Sequence, residues 1–339
     1  MTEQLPAATA VRSTWAQLPA PVRSAVEDRL GARVLGAASQ GSGFTDGVAA
    51  RLTLAGGRRA FVKALATGHE LTPDYRREAR IAAALPAPVP ASRLRFSLET
   101  AGWHVLAYED IEGRHPDLGR AGDLAAVLTC VEELGRTLTP NPLPWAPSIG
   151  EQLGGLYQGW RLLLEEEEPG SEGGSTTRTG ISNSDSPGTA TGAPTGLDPW
   201  SARHLHRLAE LESRWPVAAT GDTLLHADLR QDNLLLTADG RAVAVDWAWA
   251  CVGADWVELV FLLPAVAAAG GDPQEIVTTH PVTRGADPAA IDAFVCALAG
   301  FYTHSGRQPS PLWSPHLRTF ERRYGELCRA WLARRTGWS

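Results

Sequence analysis

The chain reads as an α+β protein of two lobes, a small antiparallel-sheet N-lobe with one helix and a larger, mainly helical C-lobe. Three observations predict this. Up to about residue 111 the apolar runs are short and separated by Gly-rich turns. Beyond residue 113 apolar residues recur at helical spacing. Inside that helical part sits one Leu-rich hairpin with a polar tip, "LLHADLRQDNLLL", residues 224–236.

The elements follow in order. Residues 1–17 show no sustained pattern and are expected to be loosely ordered. Val22, Val26 and Leu30 then fall four apart, which suits a short amphipathic helix over 19–30. "ARVLGAA", "GVAARLTLA" and "RRAFVKAL" predict three antiparallel strands, joined by "SQGSGFTD" and "GG". "TPDYRREARIAAAL" predicts a helix with Thr72 as N-cap and Pro73 at the first helical position. "RLRFSLE" and "WHVLAYEDI" are two further strands across the turn "TAG". The N-lobe is therefore expected over 18–111 and the C-lobe over 112–339.

In the C-lobe, "DLAAVLTCVEELGRTL" and "GEQLGGLYQGWRLLLEEEE" have helical spacing. Residues 169–196 are Gly, Ser, Thr and Pro with almost nothing apolar, a composition that predicts a flexible insertion. Helix resumes with "PWSARHLHRLAELESRW". The polar-tipped hairpin comes next, and the turn Asp239-Gly240 leads into the buried strand "RAVAVDW". The remainder is helical, ending in "SPHLRTFERRYGELCRAWLARR". No internal repeat is visible.

Bulk properties narrow the function. A net charge of −7 argues against a general nucleic-acid binder, which needs a basic face. Cys130, Cys251, Cys296 and Cys328 are far apart, with neither zinc-ligand nor disulfide spacing. The N-terminus lacks the apolar core of a secretory signal, and "WVELVFLLPAVAAA" is too short and too polar to span a bilayer. A cytoplasmic protein, monomer or homodimer, with no membrane partner is expected.

The hairpin carries the chemistry. His226-x-Asp228 is followed five residues later by Asn233, and Asp246 stands thirteen beyond that, at the end of a strand. An Asp at a loop tip can orient an attacking hydroxyl and accept its proton, while an Asn and a second Asp hold metal against nucleotide phosphates. Carboxylate and amide oxygens suit Mg2+. His226 reads as a structural brace of the loop. Upstream, Lys63 in "FVKA" is placed to meet phosphates and Glu78 on the next helix to pair with it. A solvated edge charge and a surface ion pair are the alternative readings of these two. The turn "QGSGFT" (Gln40, Gly41, Ser42, Gly43, Phe44, Thr45) can lay backbone N–H groups over phosphate. No Walker motif is present.

Together, Lys63, Glu78, His226/Asp228/Asn233 and Asp246 resemble the aminoglycoside phosphotransferase family, relatives of choline and fructosamine kinases within the protein-kinase-like fold. The specific stretch is "LHADLRQDNLLL" followed by "VDWAWACVGADWVELVFLL". The resemblance implies ATP and Mg2+ as cofactors and a small hydroxyl-bearing acceptor. It implies Asp228 as catalytic base, Asn233 and Asp246 as magnesium ligands, and Lys63 with Glu78 at the phosphates. It also implies adenine at the backbone of Glu109, Asp110 and Ile111, and Asp255 as a brace of the catalytic loop. Two departures stand out. Arg230 occupies a place where the family often has His and adds a cation near the γ-phosphate, and Asp246 is followed by Trp247 rather than Phe-Gly.

Other features read as structural. The twelve tryptophans suggest packing rather than a cation cage, Glu165 to Glu168 a solvated helix end, and Cys251 an inert thiol. A protein kinase and a nucleotide-binding pseudokinase are the competing functions. Only "WAWACVGA" separates Asp246 from Asp255, which leaves no room for an activation segment. Glu258, Asp272, Glu275 and Asp292 are candidate contacts for an amine-bearing acceptor, with solvated helix faces as the alternative reading.

Overall fold

The computed structural model describes residues 11–41, 43, 45–167 and 196–339. Residues 1–10, Ser42, Phe44 and all of the 169–196 insertion except Gly196 lie outside the described residues, as does Glu168.

Strands β1 (Val34–Ser39), β2 (Val48–Leu54), β3 (Arg59–Ala66), β4 (Leu94–Thr100) and β5 (Trp103–Tyr108) form one antiparallel sheet in the order β1-β2-β3-β5-β4. Side chains alternate between its faces. Val48, Ala50, Leu52, Ala60, Val62, Val105 and Ala107 point to one side and form a core with Val22, Val26 and Leu30 of helix α1 (Ala20–Leu30). Leu65, Leu106 and Tyr108 point to the other side, against Tyr75, Ala79 and Ala82 of α2 (Thr72–Ala84). The sheet thus carries α2 on one face and α1, the short helix expected over 19–30, on the other. Lys63 has the parity of the α2 face and so looks into the cleft.

Three local expectations are corrected. Residues 15–17 are not loose: they form a 3-10 turn, and Trp15 is buried in the core beneath α1. Thr72 is inside α2 rather than capping it, because its hydroxyl bonds the Ala66 carbonyl at 2.8 Å and Leu71 takes the cap position. The helix expected over 150–168 is broken into α4 (Ile149–Leu153) and α5 (Gly159–Glu167), as numbered below. Gly154 and Gly155 favour the break, and α5 begins where Gly159 passes so close to the Gly300 carbonyl that a Cβ would sit 2.0 Å from its oxygen.

The C-lobe opens with β6 (Gly113–Arg114) and α3 (Ala121–Thr137), followed by α4, α5, α6 (Pro199–Glu212) and α7 (Trp215–Ala218). Strand β7 (Thr223–Leu225) pairs with β10 (Cys251–Gly253), and β8 (Leu234–Thr237) lies between β6 and β9 (Ala242–Ala244). The β8–β9 turn has Gly240 at φ +81°, as its Asp-Gly sequence requires. Helices α8 (Trp256–Ala268), α9 (Pro273–Thr279), α10 (Pro288–Ser305) and α11 (Leu317–Thr336) complete the lobe. One continuous core joins α3, α8, α10 and the hairpin strands. The lobes meet where the Ala244 N–H donates to the Pro90 carbonyl at 2.8 Å. All four cysteines are free and buried. No described helix is long and apolar enough to cross a membrane.

Candidate active site

The five-residue loop between β7 and the Gln231–Asn233 3-10 turn, His226 to Arg230, sets the floor of the cleft. His226 is fully buried, and its Nε2 lies 2.8 Å from the Val245 carbonyl. That partner places the ring proton on Nε2, so Nδ1 accepts the Asp228 N–H at 3.3 Å. Burial lowers the imidazole to about 4, which keeps it neutral. The ring also packs edge-on against Trp247, 4.7 Å between centroids.

Asp228 faces the cleft. Its Oδ2 accepts Asn233 Nδ2 at 3.0 Å, and the same amide nitrogen donates to the Asp228 carbonyl at 2.8 Å. Arg230 Nη2 is 3.5 Å from Asp228 Oδ2, while its guanidinium donates to Asp232 at 3.2 and 3.3 Å. Burial pushes the Asp228 carboxyl up to about 7, against the pull of Arg230.

Asp246 closes the site from the N-lobe side. Its Oδ1 accepts Lys63 Nζ at 2.9 Å, and Lys63 donates to Glu78 Oε2 at 2.6 Å. The Tyr108 hydroxyl donates to Glu78 Oε1 at 2.7 Å, a partner that the sequence reading missed. Burial would strip the Lys63 proton, but Asp246 and Glu78 outweigh it and hold the ammonium charged. The cleft walls disfavour the charge on Asp246, and Lys63 overcomes them to keep its carboxyl below the usual range. Ala227 (φ +58°) and Asp246 (φ +68°) both occupy the left-handed region, at about 1–3 kcal/mol each.

One cavity of about 550 Å3 joins these groups, within the size range of small-ligand clefts. Lys63, Glu78, Asp228, Arg230, Asn233 and Asp246 all line it, as do Glu109, Asp110 and Ile111. Gly43 (φ +91°) and Thr45 line it from the Gly-rich turn, whereas Gly41 does not, and Ser42 and Phe44 lie outside the described residues.

Asp255 is corrected. It is exposed, and its side-chain hydrogen bond caps α8 at the Trp256 N–H, 2.8 Å, rather than bracing the His226–Asn233 loop. The brace is Glu258, whose buried carboxyl accepts the N–H groups of His226 and Ala227. A lone Glu in an otherwise apolar helix was the available signal, since a buried carboxyl needs partners. The expected acceptor contacts are corrected with it. Glu258 is committed to that loop. Asp272 pairs with Arg334 and Asp292 with Arg335, Glu275 is exposed, and none of the four lines the cavity.

The hinge is fixed by contacts of Asp110 and Glu109. The Asp110 carboxylate forms a bidentate pair with Arg51 at 2.6 and 2.7 Å, which ties the hinge to β2. The Glu109 N–H donates to the Arg93 carbonyl at 2.9 Å, and its carbonyl accepts Ser92 Oγ at 3.1 Å.

A two-lobed fold with a buried Lys–Glu pair facing an Asp/Asn loop across one cleft defines a kinase-like phosphotransferase. Residues 41–294 match the APH family, described as the phosphotransferase enzyme family. The chain belongs to that family and is a small-molecule phosphotransferase. Its fold is similar to several solved structures. One is a thermostable mutant of the aminoglycoside phosphotransferase APH(4)-Ia with AMP-PNP and hygromycin B (TM-score 0.59, 12% identity, 94% of this chain and 99% of that one). A second is spectinomycin phosphotransferase, APH(9)-Ia, with ADP and spectinomycin (TM-score 0.59, 13% identity, 91% and 97%). A third is the choline kinase LicA from Streptococcus pneumoniae (TM-score 0.58, 12% identity, 91% and 98%). The search of characterised protein sequences returned no match.

Proposed function

We propose that the chain transfers the γ-phosphoryl group of ATP to a hydroxyl of a small molecule. The observation that carries this is the convergence of Lys63, Asp246, Asn233 and Asp228 on one cavity. Solved relatives in fold hold ADP or AMP-PNP, which supports a nucleotide in the cleft.

The residues present fit Mg2+. Asn233 uses its nitrogen toward Asp228, which leaves its oxygen as a hard ligand, and Asp246 has a second carboxylate oxygen beyond the one on Lys63. Two oxygen ligands suffice for an ion that keeps waters and phosphate oxygens. The ion would neutralise charge on the β- and γ-phosphates.

Asp228 orients the acceptor hydroxyl and takes its proton, and Arg230 adds positive charge beside the transferring group. Lys63, held by Glu78 and Tyr108, meets the α- and β-phosphates. The Glu109 N–H is already engaged, so adenine contacts fall to the backbone of Asp110 and Ile111. Gly43 and Thr45 cover the phosphates from above. Against a protein acceptor, β10 and α8 follow Asp246 almost at once, so no long docking segment intervenes.

The test is ADP release with magnesium–ATP over a panel of small alcohols, with generic protein substrates as the contrary arm. Robust transfer to protein and none to any alcohol would reject the reading. Lys63→Met is expected to raise the ATP KM about tenfold or more through loss of a charge-assisted contact, with protein melting changed less. Unchanged ATP KM would remove Lys63 from the phosphate site.

The pH profile supplies a further check. Asp228 works as base only when ionised, so kcat/KM should rise with pH along a limb near 7. Arg230 holds that value down. Arg230→Gln should therefore move the limb to higher pH, and a shift to lower pH would contradict the assignment.

A further inference from the structure

Beyond Asp228 the cleft continues onto an aromatic wall. Trp249, Phe261, Phe301, Tyr302, Leu317 and Phe320 line it, drawn from α8, α10, α11 and the loop before β10. The rings are continuous: Tyr157 stands 5.0 Å from Phe301, Phe301 5.1 Å from Tyr302, and Tyr302 6.3 Å from Phe320, centroid to centroid. Phe320 lies 5.8 Å from the Arg230 guanidinium, so the wall begins beside the catalytic loop.

Most charges on this side are already paired. Asp232 accepts Arg230 at 3.2 Å, and Glu321 accepts Arg318 at 2.7 Å. With Asp228 that makes three carboxylates facing two guanidinium groups. On the N-lobe wall, Asp74 pairs with Arg77 at 3.1 Å and Glu70 is exposed at the mouth. A ligand carrying several ammonium groups would bury them against rings without carboxylates to meet them, and such burial is unfavourable. One amine is compatible with the single surplus carboxylate and the ring faces.

We infer that the acceptor is a predominantly apolar alcohol bearing at most one positive charge, with its apolar face on this wall and its hydroxyl at Asp228. The inference rests on the phosphotransferase reading above. In the reaction the hydroxyl oxygen bonds the γ-phosphorus of the nucleoside triphosphate, the bond to the bridging oxygen breaks, the proton passes to Asp228 and ADP leaves.

Tryptophan fluorescence supplies the binding test, since Trp249 and Trp313 line the cavity. The full chain with magnesium and AMP-PNP is titrated with phenylbutanol, phenylhexanol, choline and hygromycin B. Phenylhexanol is expected to bind about tenfold more tightly than phenylbutanol, from two more buried methylenes, and more tightly than either charged probe. Phe320→Ala and Leu317→Asp should each weaken phenylhexanol about tenfold. Leu317→Asp keeps the test open if the first variant fails to fold. Hygromycin B or choline binding as tightly as phenylhexanol, or no binding of the phenyl alcohols, overturns the inference. ADP release is read in parallel with ATP. Its absence with every bound alcohol counts against phosphoryl transfer and leaves the binding order intact, whereas a reversed order with ADP release retained overturns only the acceptor class.

Discussion

Asp228→Asn is expected to lower kcat by about a hundredfold or more while ATP affinity stays close to that of the parent. The carboxylate is the group at the junction of the two halves of the cleft, and its Oδ2 is held by Asn233 and approached by Arg230. An amide in its place keeps the shape and can still accept from Asn233, but it cannot take a proton from the acceptor. Lys63, Asn233 and Asp246 are untouched, so the nucleotide side persists. Single-turnover rates and nucleotide titrations separate the two effects. A variant with near-parental kcat would show that Asp228 is not the base. Equal loss of ATP affinity and turnover would place Asp228 at the phosphates instead.

The grouping of Asp228, Arg230 and Asn233 was legible because its constraints are local. Asp228, Arg230 and Asn233 sit in one tight turn, where the Arg230 N–H reaches the Asp228 carbonyl at 2.9 Å and the Asn233 N–H the Arg230 carbonyl at 3.0 Å. Spacing in sequence is then nearly spacing in space. Lys63 was legible as a lone cation in a strand run, and strand parity puts it on the opposite face from Val62 and Ala64. Asp255 misled because helix register was not resolved. It precedes α8 and turns to solvent, whereas Glu258, nearly one turn later, points inward. The aromatic wall could not be read, since Tyr157, Trp249, Phe261, Phe301 and Phe320 are brought together only by helix packing. Trp15 was missed for a similar reason. A short stretch without periodicity docks through one large side chain, and that contact exists only once the sheet has formed.

The second large effect is expected at Glu258. Glu258→Ala should cost about 3 kcal/mol, since two buried N–H donors, those of His226 and Ala227, lose their acceptor. It should also reduce kcat more than ATP affinity. Ala227 is held at φ +58°, a conformation that persists only when its surroundings fix it, and Asp228 is the next residue. Thermal melts give the first quantity and steady-state kinetics the second; a melt like that of the parent would show that the loop is held by other contacts. Glu258→Gln offers one oxygen instead of two and should fall between. The two variants also differ in pH response. Burial raises the Glu258 carboxyl from 4.5 to about 8, so folding takes up a proton in that range. The stability this contributes is complete below about 4.5 and is lost as pH rises through about 8. The parent's advantage over Glu258→Gln should therefore shrink as pH is raised across that interval. An advantage that stays constant or grows would mean that the carboxyl is ionised throughout, with its two amide donors outweighing its burial.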